Sequence, residues 1–200
     1  LVGLAEGMLA LALDPAKVMA MLDRLVEGTV ALALGHFDHG ADAVLISSAY
    51  AGAGFLSTKH YERFVLPYER LLIERVKARV ADKPVYTHTC GAIGDRLELM
   101  EATGTNGIDT LDPPPLGTID LADAKARIGP RLFIKGNIDP VNTILRGTPD
   151  DCYRDARTRI DIASGGGGYI LSTACSVPPH APAENIEMLA RAAADAAATS

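Results

Sequence analysis

Five short β-like runs punctuate this chain, at residues 43–46, 83–88, 107–111, 132–135 and 169–172, the first of them continuously apolar and rich in branched residues. Helix-competent stretches separate them, and successive runs begin about 25 to 40 residues apart, the length of a strand plus a crossover helix. Parallel strands cannot be joined by a tight hairpin, because each crossover needs about a dozen residues or more. The alternation therefore predicts βαβ units, a parallel sheet and an α/β fold.

The intervening segments carry their own punctuation. Asp14 before Pro15 reads as an N-cap followed by proline at the first helical position. Val18, Met21, Leu22, Leu25, Val26 and Val30 then recur at helical spacing, so a helix is predicted over 15–39, with Gly40 ending it. Ser57 caps the next helix, predicted over 57–80 around Tyr61, Phe64, Leu72 and Val76, with Pro67 kinking or dividing it. A helix carrying Leu97, Leu99 and Met100 follows Gly91, and two more are expected over 120–128 and 150–162. The glycine run at 165–168 reads as a flexible connector.

Five such units exceed what a compact doubly wound sheet requires and fall short of the eight of a closed barrel, which takes about 250 residues. The chain has 200 residues and opens at Leu1, already inside an apolar, helix-competent stretch. The expectation is a single domain over 1–200, the later part of a barrel truncated at its N-terminal side. With two unpaired sheet edges, such a piece should oligomerise or pair with another chain.

Composition narrows the function classes. A hydrophobic content of 48% supports a buried core and argues against disorder, and a net charge of −6 leaves no positive excess for a polyanionic backbone. Nucleic acid is not an expected partner. No apolar run approaches the roughly 20 residues that cross a bilayer, so no membrane association is expected. Three cysteines are an odd count without a leader segment, which argues against a secreted disulfide framework and for a reducing, cytoplasmic setting.

In parallel α/β folds, chemistry gathers at the carboxyl edge of the sheet. The five predicted strands deliver polar groups there: Ser47, Ser48 and Tyr50; His88 and Cys90; Asp112; Asn137 and Asp139; Ser172, Thr173 and Cys175. His88 and Cys90 are two apart, so at the end of a strand their side chains share a face and can meet one ion. With Cys175 they make a His-Cys-Cys set suited to zinc, leaving a fourth tetrahedral position open. The competing reading is that both cysteines are small buried hydrophobes. Asp112 and the 135–140 segment fit loop ordering through Asx-type hydrogen bonds as readily as ligand binding. Cys152, at a helix start, is expected to be structural; His36, His39 and His60 are expected on helix surfaces or ends.

Four motifs occur in order: Phe64-Val65-Leu66-Pro67-Tyr68, His88-Thr89-Cys90-Gly91, Gly136-Asn137-Ile138-Asp139-Pro140 and Pro182-Ala183-Glu184-Asn185-Ile186. Together they resemble the uroporphyrinogen decarboxylase superfamily over nearly the whole chain. The resemblance implies a (β/α)8 TIM barrel, of which about five C-terminal βα units are present.

The superfamily has two branches. Decarboxylases remove acetate carboxyls from a tetrapyrrole without a cofactor and carry a Gly-His-Gly-type loop near the chain end, where this sequence has Thr173-Ala174-Cys175-Ser176-Val177. The other branch comprises zinc-dependent methyltransferases that work with corrinoid proteins and thiols such as coenzyme M. Their metal motif, His-x-Cys followed far downstream by Cys, matches His88, Cys90 and Cys175. The resemblance thus implies zinc at these three residues, a corrinoid presented by a partner protein, and a small-molecule methyl donor or acceptor. Ser48, Tyr50, Asp112, Asn137 and Asp139 are the expected substrate-binding residues. Porphyrin-pathway decarboxylation and a non-catalytic partial barrel are the alternatives, and a homodimer is compatible with each.

Overall fold

The computed structural model describes residues 3–198, so Leu1 and Val2 of the opening stretch lie outside the described residues. Helices α1 (Leu4–Leu13) and α2 (Pro15–Asp38) lead into strand β1 (Val44–Ser47). Helices α3 (Thr58–Phe64) and α4 (Leu66–Lys77) follow, then β2 (Val85–Thr89), α5 (Leu97–Glu101), β3 (Gly107–Thr110) and α6 (Leu121–Ile128). The chain continues through β4 (Phe133–Ile138), a π-helical turn (Pro140–Leu145), α7 (Pro149–Ala163), β5 (Tyr169–Thr173) and α8 (Ala183–Ala197).

All five strands are parallel, and they lie side by side in the order in which the chain makes them. A doubly wound sheet reverses its strand order and so takes helices on both faces. Here the order never reverses, and right-handed crossovers then place the connecting helices on one face. The sheet is a barrel wall rather than the middle layer of a sandwich.

The helix face is packed in three clusters. Ile108, Leu111 and Ile134 meet Leu97, Met100, Leu121 and Ile128 in the largest. Val44 and Val85 pack under Val26, Phe37, Leu72 and Val76, and Ile138 under Ile144, Cys152, Ala156 and Ala192. The other face is open enough that Leu45 remains 42% and Ile170 47% exposed at the two edge strands. Gly107 pairs with Phe133 across that face, and the Phe133 ring occupies the place a side chain at 107 would take. The ring thereby lies across the sheet to within 5.4 Å of the Tyr86 ring.

The caps behave as the sequence predicts at two helices. The Asp14 carboxylate accepts from the Lys17 amide with Pro15 in the first turn, and the Ser57 hydroxyl accepts from the His60 amide. The helix expected over 57–80 is divided: α3 stops at Phe64, and Pro67 sits in the first turn of α4, where its missing N–H has no partner to lose. β4 runs three residues past the expected Lys135, because Gly136, Asn137 and Ile138 pair with Leu171, Ser172 and Thr173. α7 begins at Pro149 because Thr148 and Asp151 form a reciprocal capping box.

Two buried polar groups hold the loop after β1 against the rim. The fully buried Arg96 guanidinium donates to the Ala51 and Leu56 carbonyls, 2.6 and 2.9 Å away, and pairs with Asp95. Glu69, on α4, accepts from the Ser48 hydroxyl at 2.5 Å and from the Tyr61 hydroxyl at 3.1 Å. Burial pushes the Glu69 carboxyl above its ordinary range, and the two hydroxyls only partly offset this.

Arg96→Met leaves two loop carbonyls without their charged donor and should cost about 3 kcal/mol in urea unfolding; a loss under about 0.5 kcal/mol would show that the loop does not depend on it. The folded chain holds the Glu69 proton more tightly than the unfolded one does. Its stabilising contribution is therefore present below the unfolded value of about 4.3 and declines as pH rises through the folded value. Between about pH 4 and pH 8, urea unfolding should shift in favour of Glu69→Gln over the parent; a difference that stays constant with pH contradicts this environment.

Candidate metal centre

β2 delivers the first two residues of the site. Along the strand, Thr87 and Thr89 turn into the packed helix face and are fully buried, which leaves His88 on the open face, and Cys90 follows it at the strand end. Hydrogen bonds from Ser48 N to the His88 carbonyl and from Cys90 N to the Ala49 carbonyl carry the β1–β2 pairing to this point. Gly91 then turns the chain at a φ of +80°, and its amide donates to the Asp112 carboxylate at 2.6 Å. Gly52 has no side chain to obstruct the Cys90 carbonyl, which lies where its Cβ would stand, so the β1 loop presses directly on the cysteine backbone.

Cys175 arrives from beyond β5. Ala174 N bonds the Ile138 carbonyl at 2.8 Å, and the Thr173 hydroxyl donates to the Cys175 carbonyl at 2.7 Å. These bonds bring Cys175 Sγ to 3.8 Å from Cys90 Sγ, while His88 Nε2 is 3.1 Å from Cys90 Sγ. One ligand atom from each residue lies within 4.8 Å of the others. Among the described residues, no other three His, Cys, Asp or Glu side chains converge in this way.

The donor set fits a zinc ion. A tetrahedral site with zinc–sulfur bonds of about 2.3 Å separates its two sulfurs by about 3.8 Å, the spacing found here. Burial first, then the adjacent Cys175 sulfur and the carboxylates of Asp112 and Asp109, push the Cys90 thiol up to about 12. Two thiols so placed ionise together only when a cation joins them. His88 and Cys175 open on a cleft of about 360 Å³ that Leu45, Ser47, Asp109, Lys135 and Ser176 also line.

The groups behind the triad are ordered. His88 Nδ1 lies 2.8 Å from Asp109 Oδ2 and 2.7 Å from the Thr110 hydroxyl, and Lys135 Nζ is 2.5 Å from Asp109 Oδ1. Burial raises the Asp109 carboxyl, but the hydrogen bonds and charges of His88 and Lys135 outweigh it and leave the group below its ordinary range. Burial holds Asp112 above its own, against the Gly91 amide.

The expected substrate-binding residues are placed in different ways. Ser48 is tied to Glu69, and Tyr50 is 55% exposed with its ring edge-on to Phe55 at 5.3 Å. Asp112 is linked to the His88, Cys90 and Cys175 cluster through the Gly91 amide. Asn137 is fully buried, donating to the Leu111 carbonyl at 2.9 Å and accepting from Arg159 at 3.0 Å. The Asp139 carboxylate accepts from the Val141 and Asn142 amides and the Asn142 side chain, capping the π-helical turn. Asp109, Lys135 and Glu69 were not among the expected residues. Asp109 and Lys135 become visible only once strand register is known, and Glu69 lies in a helix whose charged residues read as solvent-facing.

Comparison with known proteins agrees with the fold and brings two chemistries into view. The family model described as uroporphyrinogen decarboxylase (URO-D) matches residues 3–196. A methylcobamide:CoM methyltransferase MtbA of Methanosarcina acetivorans is 28% identical over 176 residues, covering 88% of this chain and 48% of the relative. A uroporphyrinogen decarboxylase of Nostoc sp. is 30% identical over 180 residues, covering 86% and 46%. A solved methyltransferase from Methanosarcina mazei superposes with a TM-score of 0.83 at 20% identity, over 97% of this chain and 54% of that one. The chain spans about half the length of these relatives, and its five-stranded wall matches part of their TIM barrel. The chain belongs to the uroporphyrinogen decarboxylase family.

Proposed function

We propose that this chain carries the metal centre of a methyltransferase that moves a methyl group between a corrinoid on a partner protein and a thiol or related acceptor. The observation that carries this reading is the convergence of His88, Cys90 and Cys175 ligand atoms within 4.8 Å at the carboxyl edge of the sheet. Relatives named methylcobamide:CoM methyltransferases support it, since their substrates are a methylated corrinoid and a thiol.

His88 through Nε2 and Cys90 and Cys175 through sulfur would hold zinc, and three protein ligands would leave it able to take one more. Zinc bound there supplies a Lewis acid that lowers the pKa of a substrate thiol, so that the nucleophilic thiolate is present near neutral pH. The two cysteine thiolates would lower the effective positive charge of such an ion. Asp112 secures the Gly91 turn and with it the position of Cys90. Tyr50 and Asp112, on loops bordering the triad, are the side chains proposed to meet the methyl acceptor or donor, while the Ser48 hydroxyl, bonded to Glu69, orders the β1 loop. Asn137 and Asp139 support the same edge through the bonds described above.

A second reading is tetrapyrrole decarboxylation, favoured by relatives named uroporphyrinogen decarboxylase at about 30% identity. That chemistry makes no use of two cysteine ligands beside an imidazole.

Elemental analysis after zinc loading and gel filtration discriminates between the readings. The methyltransferase reading predicts one zinc per chain, with affinity lowered on the order of tenfold or more in Cys175→Ser and His88→Ala. A parent protein that retains no zinc contradicts it. So does uroporphyrinogen turnover that persists unchanged in Cys175→Ser.

A further inference from the structure

We infer that Asp109 and Lys135 act as positioning residues that fix the tautomer of His88, so that the Nε2 lone pair is the one turned toward Cys90 and Cys175. The inference rests on the metal-site reading above.

Register places the groups. His88 is paired with Asp109 across β2 and β3, and Asp109 with Lys135 across β3 and β4, so the three stand in one row on the open face of the sheet. A neutral imidazole carries one proton, and only the bare nitrogen can bind a metal. Two groups compete to decide which nitrogen that is: Asp109 Oδ2 lies 2.8 Å from Nδ1, whereas Thr110 Oγ1 sits beside the ring, 2.7 Å from Nδ1 and 3.4 Å from Nε2.

The two competitors are not equivalent. A threonine hydroxyl donates or accepts by rotating its proton, so it accommodates either tautomer. An ionised carboxylate only accepts, so Asp109 requires the proton on Nδ1 and leaves Nε2 bare. Nε2 then accepts from the Cys90 thiol at 3.1 Å, the direction from which a metal would be bound.

Lys135 makes the choice firm. Its ammonium donates to Oδ1 at 2.5 Å, which prevents the carboxylate from turning and leaves Oδ2 for His88. The Lys135 side chain is 31% exposed, whereas Asp109 is buried, so Lys135 is the member of the pair that can be altered with least disturbance to packing.

The test uses the folded protein with two readouts. Nitrogen-15 NMR of the metal-free protein reports the His88 tautomer, and competition against a chelator reports zinc affinity. The parent should show the Nδ1-protonated form. Asp109→Asn, whose amide donates as well as accepts, should show a mixture and a zinc affinity lower on the order of 10–100-fold. Lys135→Met should lose on the order of tenfold and Lys135→Arg should recover most of that, with circular dichroism of each variant matching the parent. Thr110→Val should keep the parental tautomer. Parental tautomer and zinc affinity in both Asp109→Asn and Lys135→Met would overturn the inference, as would a larger loss in Thr110→Val than in Asp109→Asn. A parent that binds no zinc yet shows the Nδ1-protonated form would sink the metal reading and leave the tautomer assignment standing.

Discussion

In-register parallel pairing aligns residue 88 with residue 109 and residue 109 with residue 135, and the candidate site depends on that alignment. Side chains alternate between the two faces of a strand, so a slip of one residue in any pair would send His88, Asp109 or Lys135 into the apolar helix face. The helix face guards against the slip. Val85, Ile108, Ile134 and Ile138 are fully buried there, and exchanging them for charged side chains would cost several kcal/mol. The packed core thus sets the register, and the register sets the chemistry.

The loops complete what the strands begin. Cys90 lies just past β2 and Cys175 just past β5, so neither is held by a regular ladder alone. Asp112 anchors the turn after Cys90, the Ile138 carbonyl anchors the segment before Cys175, and Arg96 and Glu69 clamp the β1 loop that presses on Cys90. Each of these anchors is a buried polar group with its hydrogen bonds made, the condition under which such groups specify one arrangement rather than several.

Much of this was legible in the sequence because it depends on local chemistry. Asp14 and Ser57 mark helix starts through their own side chains, and the branched runs at 43–46 and 83–88 mark strands through their own bulk. The spacing of His88 and Cys90 is likewise local, and it points both residues to one side. Other features depend on partners distant in sequence. Gly136 and Asn137 have no strand preference, and they extend β4 only because Leu171 and Ser172 lie alongside. Asp109 and Lys135 sit inside runs that read as apolar strands, and nothing near them in sequence announces that they meet. Glu69 reads as one more charge on a helix surface until Ser48 and Tyr61 are placed over it. The fold class was therefore readable from periodicity, the candidate ligand set from spacing together with resemblance, and the supporting hydrogen bonds only from the assembled sheet.

The most direct test of the account is X-ray absorption at the zinc edge of the loaded protein. One nitrogen at about 2.0–2.1 Å and two sulfurs at about 2.3 Å are predicted, with one lighter atom completing the shell and one sulfur lost in Cys175→Ser. A shell of nitrogen and oxygen without sulfur would contradict a metal centre built from His88, Cys90 and Cys175.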